Sequence, residues 1–370
     1  MLSAQQREQY ARQISLTEMG EEGQQKLLQS KVLVIGAGGL GCPVLQYLTA
    51  AGIGCIGIVD DDTISLNNLH RQILYGVQDV GKLKALVAAE RLQQINPNTC
   101  IQAFTERLTC KNIWDVATGY DIIIEGSDNF ATRYLVNDVC VLQNKPLIHG
   151  SIYKFEGQVA VFNVGENAVN YRDIFPAEVA QIETPNCSVV GVMGVLPGII
   201  GCMMANETIK LITGLGTVSK NKLLVFDALK NSLMEIEILP NKNTFNQLPK
   251  TRNELEQMVY DISCDNNFSE IDSMEFDQLL SEKNVLALDV RELNEMPLVT
   301  EFAHIQLPLS KLRMGITIDL CESIVVFCQT GVRSKAALSL LLETNPSITK
   351  IHSLKGGIMA WKNHHQKLKS

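Results

Sequence analysis

No excess of positive charge runs through this chain: 32 Lys and Arg face 40 Asp and Glu, a formal charge of −8. A nucleic acid or an anionic membrane surface therefore finds no general electrostatic attraction. The first residues, Met1-Leu2-Ser3-Ala4-Gln5-Gln6-Arg7-Glu8, lack the apolar core of an export signal. No run reaches the roughly 20 apolar residues of a membrane-spanning helix. The most apolar stretch, Val189 to Ala205, has 17 residues and carries Gly191, Gly194, Pro197, Gly198 and Gly201, so it predicts a buried helix. Cys-x-x-Cys pairs are also missing. Ten scattered cysteines exclude a disulfide framework and a zinc ribbon, and predict free thiols in a reducing cytoplasm.

What is present suits two globular domains. The chain has 370 residues, of which 46% are hydrophobic and 19% charged, enough to bury two cores. Up to about residue 240, short β-rich runs alternate with helical periodicity, the pattern of a mostly parallel α/β sheet. Lys31 to Ile35 reads as a strand, Cys42 to Ala51 as the helix after it, and Cys55 to Asp60 and Ile122 to Ile124 as further strands. Pro146 to Gly150 and then Gln158 to Phe162 follow, the latter opening an antiparallel extension that Leu223 to Phe226 and Met234 to Ile238 close. The polar, proline-bounded segment Pro240 to Pro249 marks a boundary. We divide the chain into a first domain at 1–245, a linker or appendage at 246–268, and a small α/β domain at 269–370. Buried strands at Val285 to Val290 and Ser323 to Phe327, and a helix from Ser334 to Glu343, define the last of these.

Gly36-Ala37-Gly38-Gly39-Leu40-Gly41 lies between a strand and a helix, where Gly36, Gly38 and Gly41 let the backbone approach phosphate oxygens. Asp60 ends the next strand, where a carboxylate bonds ribose hydroxyls. Alone, this pattern is that of a nicotinamide- or flavin-binding enzyme. The residues after it suit a different ligand. Asn67-Asn68-Leu69-His70-Arg71-Gln72 and Gly81-Lys82-Leu83-Lys84 add cations that a dinucleotide does not need and a triphosphate under attack does. Gly126-Ser127-Asp128-Asn129 follows a strand end and offers Asp128 to Mg2+.

These residues together resemble the ATP site of the ubiquitin-activating-like adenylyltransferases, the bacterial MoeB/ThiF/HesA group, over most of residues 5–240. The fold so implied is a Rossmann-like adenylation domain. By the resemblance, Gly39 and Asp60 contact the nucleotide, and Asn68 and Arg71 orient phosphates with Asn67 beside them. Lys84 neutralises the triphosphate, and Asp128 binds Mg2+ next to Asn129. Arg12, in Tyr10-Ala11-Arg12-Gln13, is similar to an arginine that enters the neighbouring subunit's site, which implies a homodimer. The implied reaction joins AMP to the C-terminal glycine of a small ubiquitin-like sulfur carrier ending in Gly-Gly. Many members hold zinc with two Cys-x-x-Cys pairs. Here the first falls on Asn170-Tyr171-Arg172-Asp173 and none occurs around Asn241 to Gln247, so zinc is not expected.

Two cysteines carry the remaining chemistry. Cys187 precedes the apolar stretch, and a helix N-terminus there stabilises a thiolate. In the family this position is assigned to sulfur or acyl transfer, while the plainer alternative is a buried thiol like Cys202. Cys328 opens the loop Cys328-Gln329-Thr330-Gly331-Val332-Arg333-Ser334, in which backbone N–H groups and Arg333 surround one anion. The loop, with Asp289-Val290-Arg291-Glu292, His304-Ile305 and Leu354 to Trp361, resembles a rhodanese. Glu292 to His304 departs from the usual pattern. A phosphatase loop is longer than the four residues Gln329 to Val332, so sulfane sulfur fits better than phosphate.

The expectation is a cytoplasmic enzyme that adenylates a sulfur carrier with ATP and Mg2+, then passes sulfur from Cys328 to give a thiocarboxylate. A cysteine desulfurase or thiosulfate supplies the sulfur, and neither nucleic acid nor membrane is a partner. The alternatives are an NAD-dependent oxidoreductase and an adenylyltransferase whose rhodanese domain only docks partners. Molybdenum cofactor, thiamine and tRNA thiolation all remain open as the pathway.

Overall fold

The computed structural model describes residues 2–176, 191–241, 244, 246–260, 268–282, 285–293, 295–312, 323–344, 348 and 350–369. The chain divides into two units, Met1–Asp261 and Ile262–Ser370.

Eight strands build the first unit: Lys31–Ile35 (β1), Cys55–Val59 (β2), Cys100–Phe104 (β3), Ile122–Glu125 (β4), Leu147–Tyr153 (β5), Glu156–Phe162 (β6), Lys222–Asp227 (β7) and Ser232–Glu237 (β8). Their order is β3-β2-β1-β4-β5-β6-β7-β8. Pairing is parallel from β3 to β5 and antiparallel from β5 to β8. Val32, Leu33 and Val34 are buried on both faces of β1, as a strand covered by helices on two sides must be. On one face Leu45 and Leu48 from the helix Gly41–Ala51, Leu92 from Lys84–Ile95 and Met204 from Leu196–Thr213 pack on Val32 and Val34. On the other, Leu135 and Val139 from Phe130–Leu142 pack with Leu33 and Ile35. Truncating one such leucine to alanine costs about 2–5 kcal/mol. The strand order reverses between β1 and β4, and a crevice at the carboxyl ends of a doubly wound sheet opens at such a point.

Of the apolar stretch expected as a helix from Val189, the described residues become helical at Leu196, and the helix continues to Thr213. Pro197 sets the start, since its ring fits the first turn and breaks a later one. Beyond Ala205 the helix buries Glu207, Thr208 and Thr213, and Glu207 is paired with Lys210 (2.6 Å) and accepts from the Ser219 N–H (2.9 Å). Among the described residues no helix is long and apolar enough to cross a membrane.

Residues 246–260 pack onto the first unit. Thr251 caps the helix Arg252–Gln257, Leu255 is fully buried, and the Tyr260 hydroxyl donates to Asp138 (2.7 Å). In the second unit the strands Phe268–Ile271 (β9), Val285–Asp289 (β10), Ile305–Gln306 (β11), Ser323–Phe327 (β12) and Lys350–Leu354 (β13) form a parallel sheet of order β11-β10-β12-β13-β9. Cys328 directly follows the central strand, β12. The helix after it begins at Val332, two residues before the expected Ser334, so Arg333 lies in its first turn.

Candidate active site

The loop after β1 is built so that only glycine fits at two points. Gly36 has φ +91° and lies against the Gly126 carbonyl, and a Cβ on Gly41 would sit 1.9 Å from the Gly36 oxygen. The helix Gly41–Ala51 starts at once and no side chain caps it; the Cys42 N–H is taken by the Gly38 carbonyl (2.9 Å), so an anion would meet the N–H groups ahead of Cys42. Asp60 braces this loop: one carboxylate oxygen accepts from the Ala37 N–H (2.8 Å), the other from the Asp62 N–H (3.0 Å). Burial raises its pKa, against the opposing pull of Lys84. Two buried polar atoms beside the loop, Gln72 Oε1 and Ser127 Oγ, have no hydrogen-bond partner among the described residues. Uncapped N–H groups and orphaned polar atoms in a glycine cradle fit a nucleotide phosphate.

Lys84 opens the helix Lys84–Ile95 as a nearly buried cation, its ammonium 2.7 Å from Asp62 and 4.0 Å from Asp60. Arg71 comes off the short turn Leu66–Asn68, where its guanidinium bonds the Asn67 carbonyl (3.1 Å) and His70 (2.8 Å). Its side chain passes 3.5 Å from where a Cβ on Gly39 would stand, so the structure joins Arg71 to the glycine loop. Asn68 accepts from the Ser65 N–H (3.1 Å), and its amide donates to Asn67 Oδ1 (3.2 Å).

Across the crevice, the loop after β4 carries Asp128, which is exposed and has no paired side chain among the described residues. A free carboxylate of this kind suits a hard divalent ion. Asn129 also serves the next helix, because its side chain accepts from the Thr132 N–H (2.8 Å) and caps Phe130–Leu142. Beneath the loop lies a buried pair that no motif in the sequence marks. Glu125 Oε2 is 2.7 Å from His149 Nδ1, and its Oε1 accepts from the Ser127 N–H (2.6 Å). Burial pushes the Glu125 pKa up, but the bond to His149 and the charge of Arg133 bring it below the usual carboxylate range. Burial lowers the His149 pKa, so Glu125 is the charged member. The signal was an acid closing the run Ile122-Ile123-Ile124.

Arg12 is not part of this crevice. It is exposed and lines a cavity of about 250 Å³ with Tyr10, Tyr47, Ala50, Ala51 and Ile209. Ala50 and Ala51 end the helix whose start meets the glycine loop, and its 11 residues span roughly 16 Å. Cys187 lies outside the described residues.

In the second unit Cys328 is fully buried, and its Sγ accepts from the Gly331 N–H (3.1 Å) with Ser334 Oγ at 3.7 Å. The Cys328 carbonyl accepts from the Ile358 N–H (2.8 Å), so the Gly356-Gly357 turn backs the loop. Arg333 does not face sulfur alone. Glu295, in the segment without a recognisable pattern, takes its guanidinium through two bonds. Asp289 and Arg291 form a second buried pair (2.6 Å), and Arg291 fixes that segment by donating to the Pro297 carbonyl (2.7 Å).

A phosphate cradle flanked by cations at the switch point of one sheet, and a cysteine loop at the carboxyl end of another, define an adenylyl-transferring enzyme fused to a sulfurtransferase. Residues 10–247 match the ThiF family and residues 273–364 the rhodanese-like domain, and the chain belongs to the ThiF family. It is 39% identical over 376 residues to the probable adenylyltransferase/sulfurtransferase MoeZ of Mycobacterium tuberculosis (strain ATCC 25618 / H37Rv), covering 96% of this chain and 93% of that protein. It is 47% identical over 236 residues to the sulfur carrier protein adenylyltransferase of Thermus thermophilus, covering 63% of this chain and 87% of the relative. The fold is that of E. coli MccB in its crystal structure with MccA-N7isoASN. The TM-score is 0.54 at 22% identity, covering 60% of this chain and 68% of MccB.

Proposed function

We propose that this chain activates the C-terminal glycine carboxylate of a small ubiquitin-like sulfur carrier with ATP, and delivers sulfur to it from Cys328. The uncapped glycine loop with Lys84 and Arg71 beside it carries this reading, and the name of the Thermus thermophilus relative supports the carrier as substrate. The carboxylate attacks the α-phosphate, forming an acyl-phosphate bond as pyrophosphate leaves. The loop N–H groups, Arg71 and Lys84 spread the charge that builds on the phosphates. Mg2+, held by Asp128, supplies further neutralisation when bound. A persulfide on Cys328 then attacks the acyl carbon and displaces AMP. Attack by a second thiol, for which Cys187 is our candidate, at the Cys328 sulfur releases the thiocarboxylate and leaves a disulfide.

Arg12 acts on the partner subunit's nucleotide, so the working form is a homodimer. Its exposure and its place at the far end of the helix Gly41–Ala51 support that role. The sulfur donor is a desulfurase-bound persulfide or thiosulfate, and the setting is the reducing cytoplasm. Zinc has no part in this reading, because Asn170, Asn241 and Thr244 are already tied to one carboxylate. Asp173 accepts from the Asn170 N–H (2.8 Å), the Asn241 N–H (2.9 Å) and the Thr244 hydroxyl (2.7 Å).

ATP–pyrophosphate exchange with purified Gly-Gly-ending carriers tests the reading. Exchange is expected only with the cognate carrier, and Lys84→Ala should lower it by about a hundredfold or more. Undiminished exchange in Lys84→Ala would remove the ATP site from this crevice, and NAD binding without exchange would favour the oxidoreductase.

A further inference from the structure

We propose that Glu125, held by His149, is a positioning residue that sets the metal-binding loop of the adenylation site. Glu125 ends β4 after three isoleucines, and its side chain is 1% exposed. An apolar residue there would continue the core, while a buried carboxylate costs stability unless it is fully paired. The register of β4 on β5 is set by backbone bonds, and it places His149 directly opposite Glu125. One oxygen takes the His149 ring at 2.7 Å, and the other takes the Ser127 N–H at 2.6 Å.

Ser127 is the residue before Asp128, and its other backbone group is held as well. The Ser127 carbonyl accepts from Arg133 (3.0 Å), whose guanidinium lies 3.9 Å from the same Glu125 carboxylate. Gly126 donates to the Ile35 carbonyl (3.0 Å), which ties the loop to the end of β1. Asp128 thus follows a backbone held at both groups of Ser127 and precedes Asn129, whose side chain caps the next helix, although the Asp128 side chain itself has no partner among the described residues. A ligand held in this way loses little freedom on taking up an ion, which is how supporting groups tighten metal sites.

The inference rests on Asp128 as the Mg2+ residue, and the experiment separates the two. The full-length protein is titrated with Mg2+ and with ATP in the presence of Mg2+ by calorimetry, alongside Mg2+ dependence of pyrophosphate exchange. Asp128→Asn should raise the half-saturating Mg2+ concentration. If it does not, the metal assignment fails and this inference falls with it. Glu125→Ala strands the Ser127 N–H and should raise both half-saturating Mg2+ and the Kd for ATP with Mg2+ about tenfold, leaving the carrier's KM unchanged. Glu125→Gln keeps an acceptor for Ser127 and should recover to within about threefold of the parent. Should Glu125→Ala fail to fold, His149→Phe, which frees the carboxylate on its other side, must shift Mg2+ dependence in the same direction. A shift in Asp128→Asn with none in Glu125→Ala or His149→Phe, both merely less heat-stable, would overturn the proposal.

Discussion

Glu295 grips Arg333, the arginine that ends the cysteine loop, with its Oε2 2.7 Å from Nη1 and a second bond between Oε1 and Nη2. The bond to Arg333 holds the Glu295 carboxyl below its usual range. The arginine of the cysteine loop is therefore already answered by an anion of the same domain. A dianionic donor such as thiosulfate meets a neutralised arginine. Glu295→Gln should lower the KM for thiosulfate about fivefold in a cyanide-coupled assay, with a smaller change in kcat. An unchanged or higher KM would show that Arg333 is available to donors while Glu295 holds it.

Cys328 separates the two chemistries. Serine fits its buried position, and the Gly331 N–H can donate to a hydroxyl as it does to Sγ. Cys328→Ser should abolish persulfide loading, read by alkylation and mass spectrometry, and leave pyrophosphate exchange within about twofold of the parent. Thiocarboxylate formed at the parent rate by this variant would reduce the domain to a docking module.

The strands were legible where burial on both faces makes a run of isoleucine, valine and leucine, as in Val32-Leu33-Val34 and Ile122-Ile123-Ile124. β3 was not, because Cys100–Phe104 is an edge strand with mixed exposure and no apolar run. Gly36, Asp60 and Cys328 could be placed from spacing alone, since each follows or ends a strand at the carboxyl edge of a sheet. The partners of those residues could not. Asp62 meets Lys84 across 22 positions and Glu295 meets Arg333 across 38, contacts that exist only once the sheets are closed. The start of the helix at Leu196 was hidden because Val192, Met193 and Val195 carry the same apolar character ahead of it.

Asp173 secures the corner where Asn170 to Asp173 meets Asn241 and Thr244. Besides the three bonds above, it accepts from the Asn170 side-chain amide (2.9 Å). Asp173→Ala strands several donors at once and should cost about 2–3 kcal/mol of first-unit stability in urea unfolding, and Thr244→Val about 1 kcal/mol. In Mg2+-free buffer a strong chelator should leave the parent's melting temperature unchanged. A chelator-dependent drop would mean that a metal, not this carboxylate, holds the corner.

The Glu125–His149 pair also makes the first unit acid-sensitive in two separable ranges. Burial holds folded His149 below the ordinary imidazole value of 6.5, with Arg133 adding to the effect and Glu125 opposing it. Below that value the unfolded chain binds a proton that the folded one refuses, so stability falls as pH drops. Glu125 behaves separately. Its folded pKa lies under the ordinary 4.5, so the stability it contributes is complete above 4.5 and is lost as pH falls through the folded value. The pair therefore predicts a flat profile above neutrality and a decline that begins near 6.5, at up to about 1.4 kcal/mol per pH unit for one proton. Urea unfolding of the parent and of His149→Phe between about pH 5 and 8 reads this directly. The variant has no imidazole to charge and should lose the slope between about 6.5 and 5. Equal slopes in the two proteins would mean that His149 takes up its proton inside the fold, with Glu125 as the partner that stabilises it.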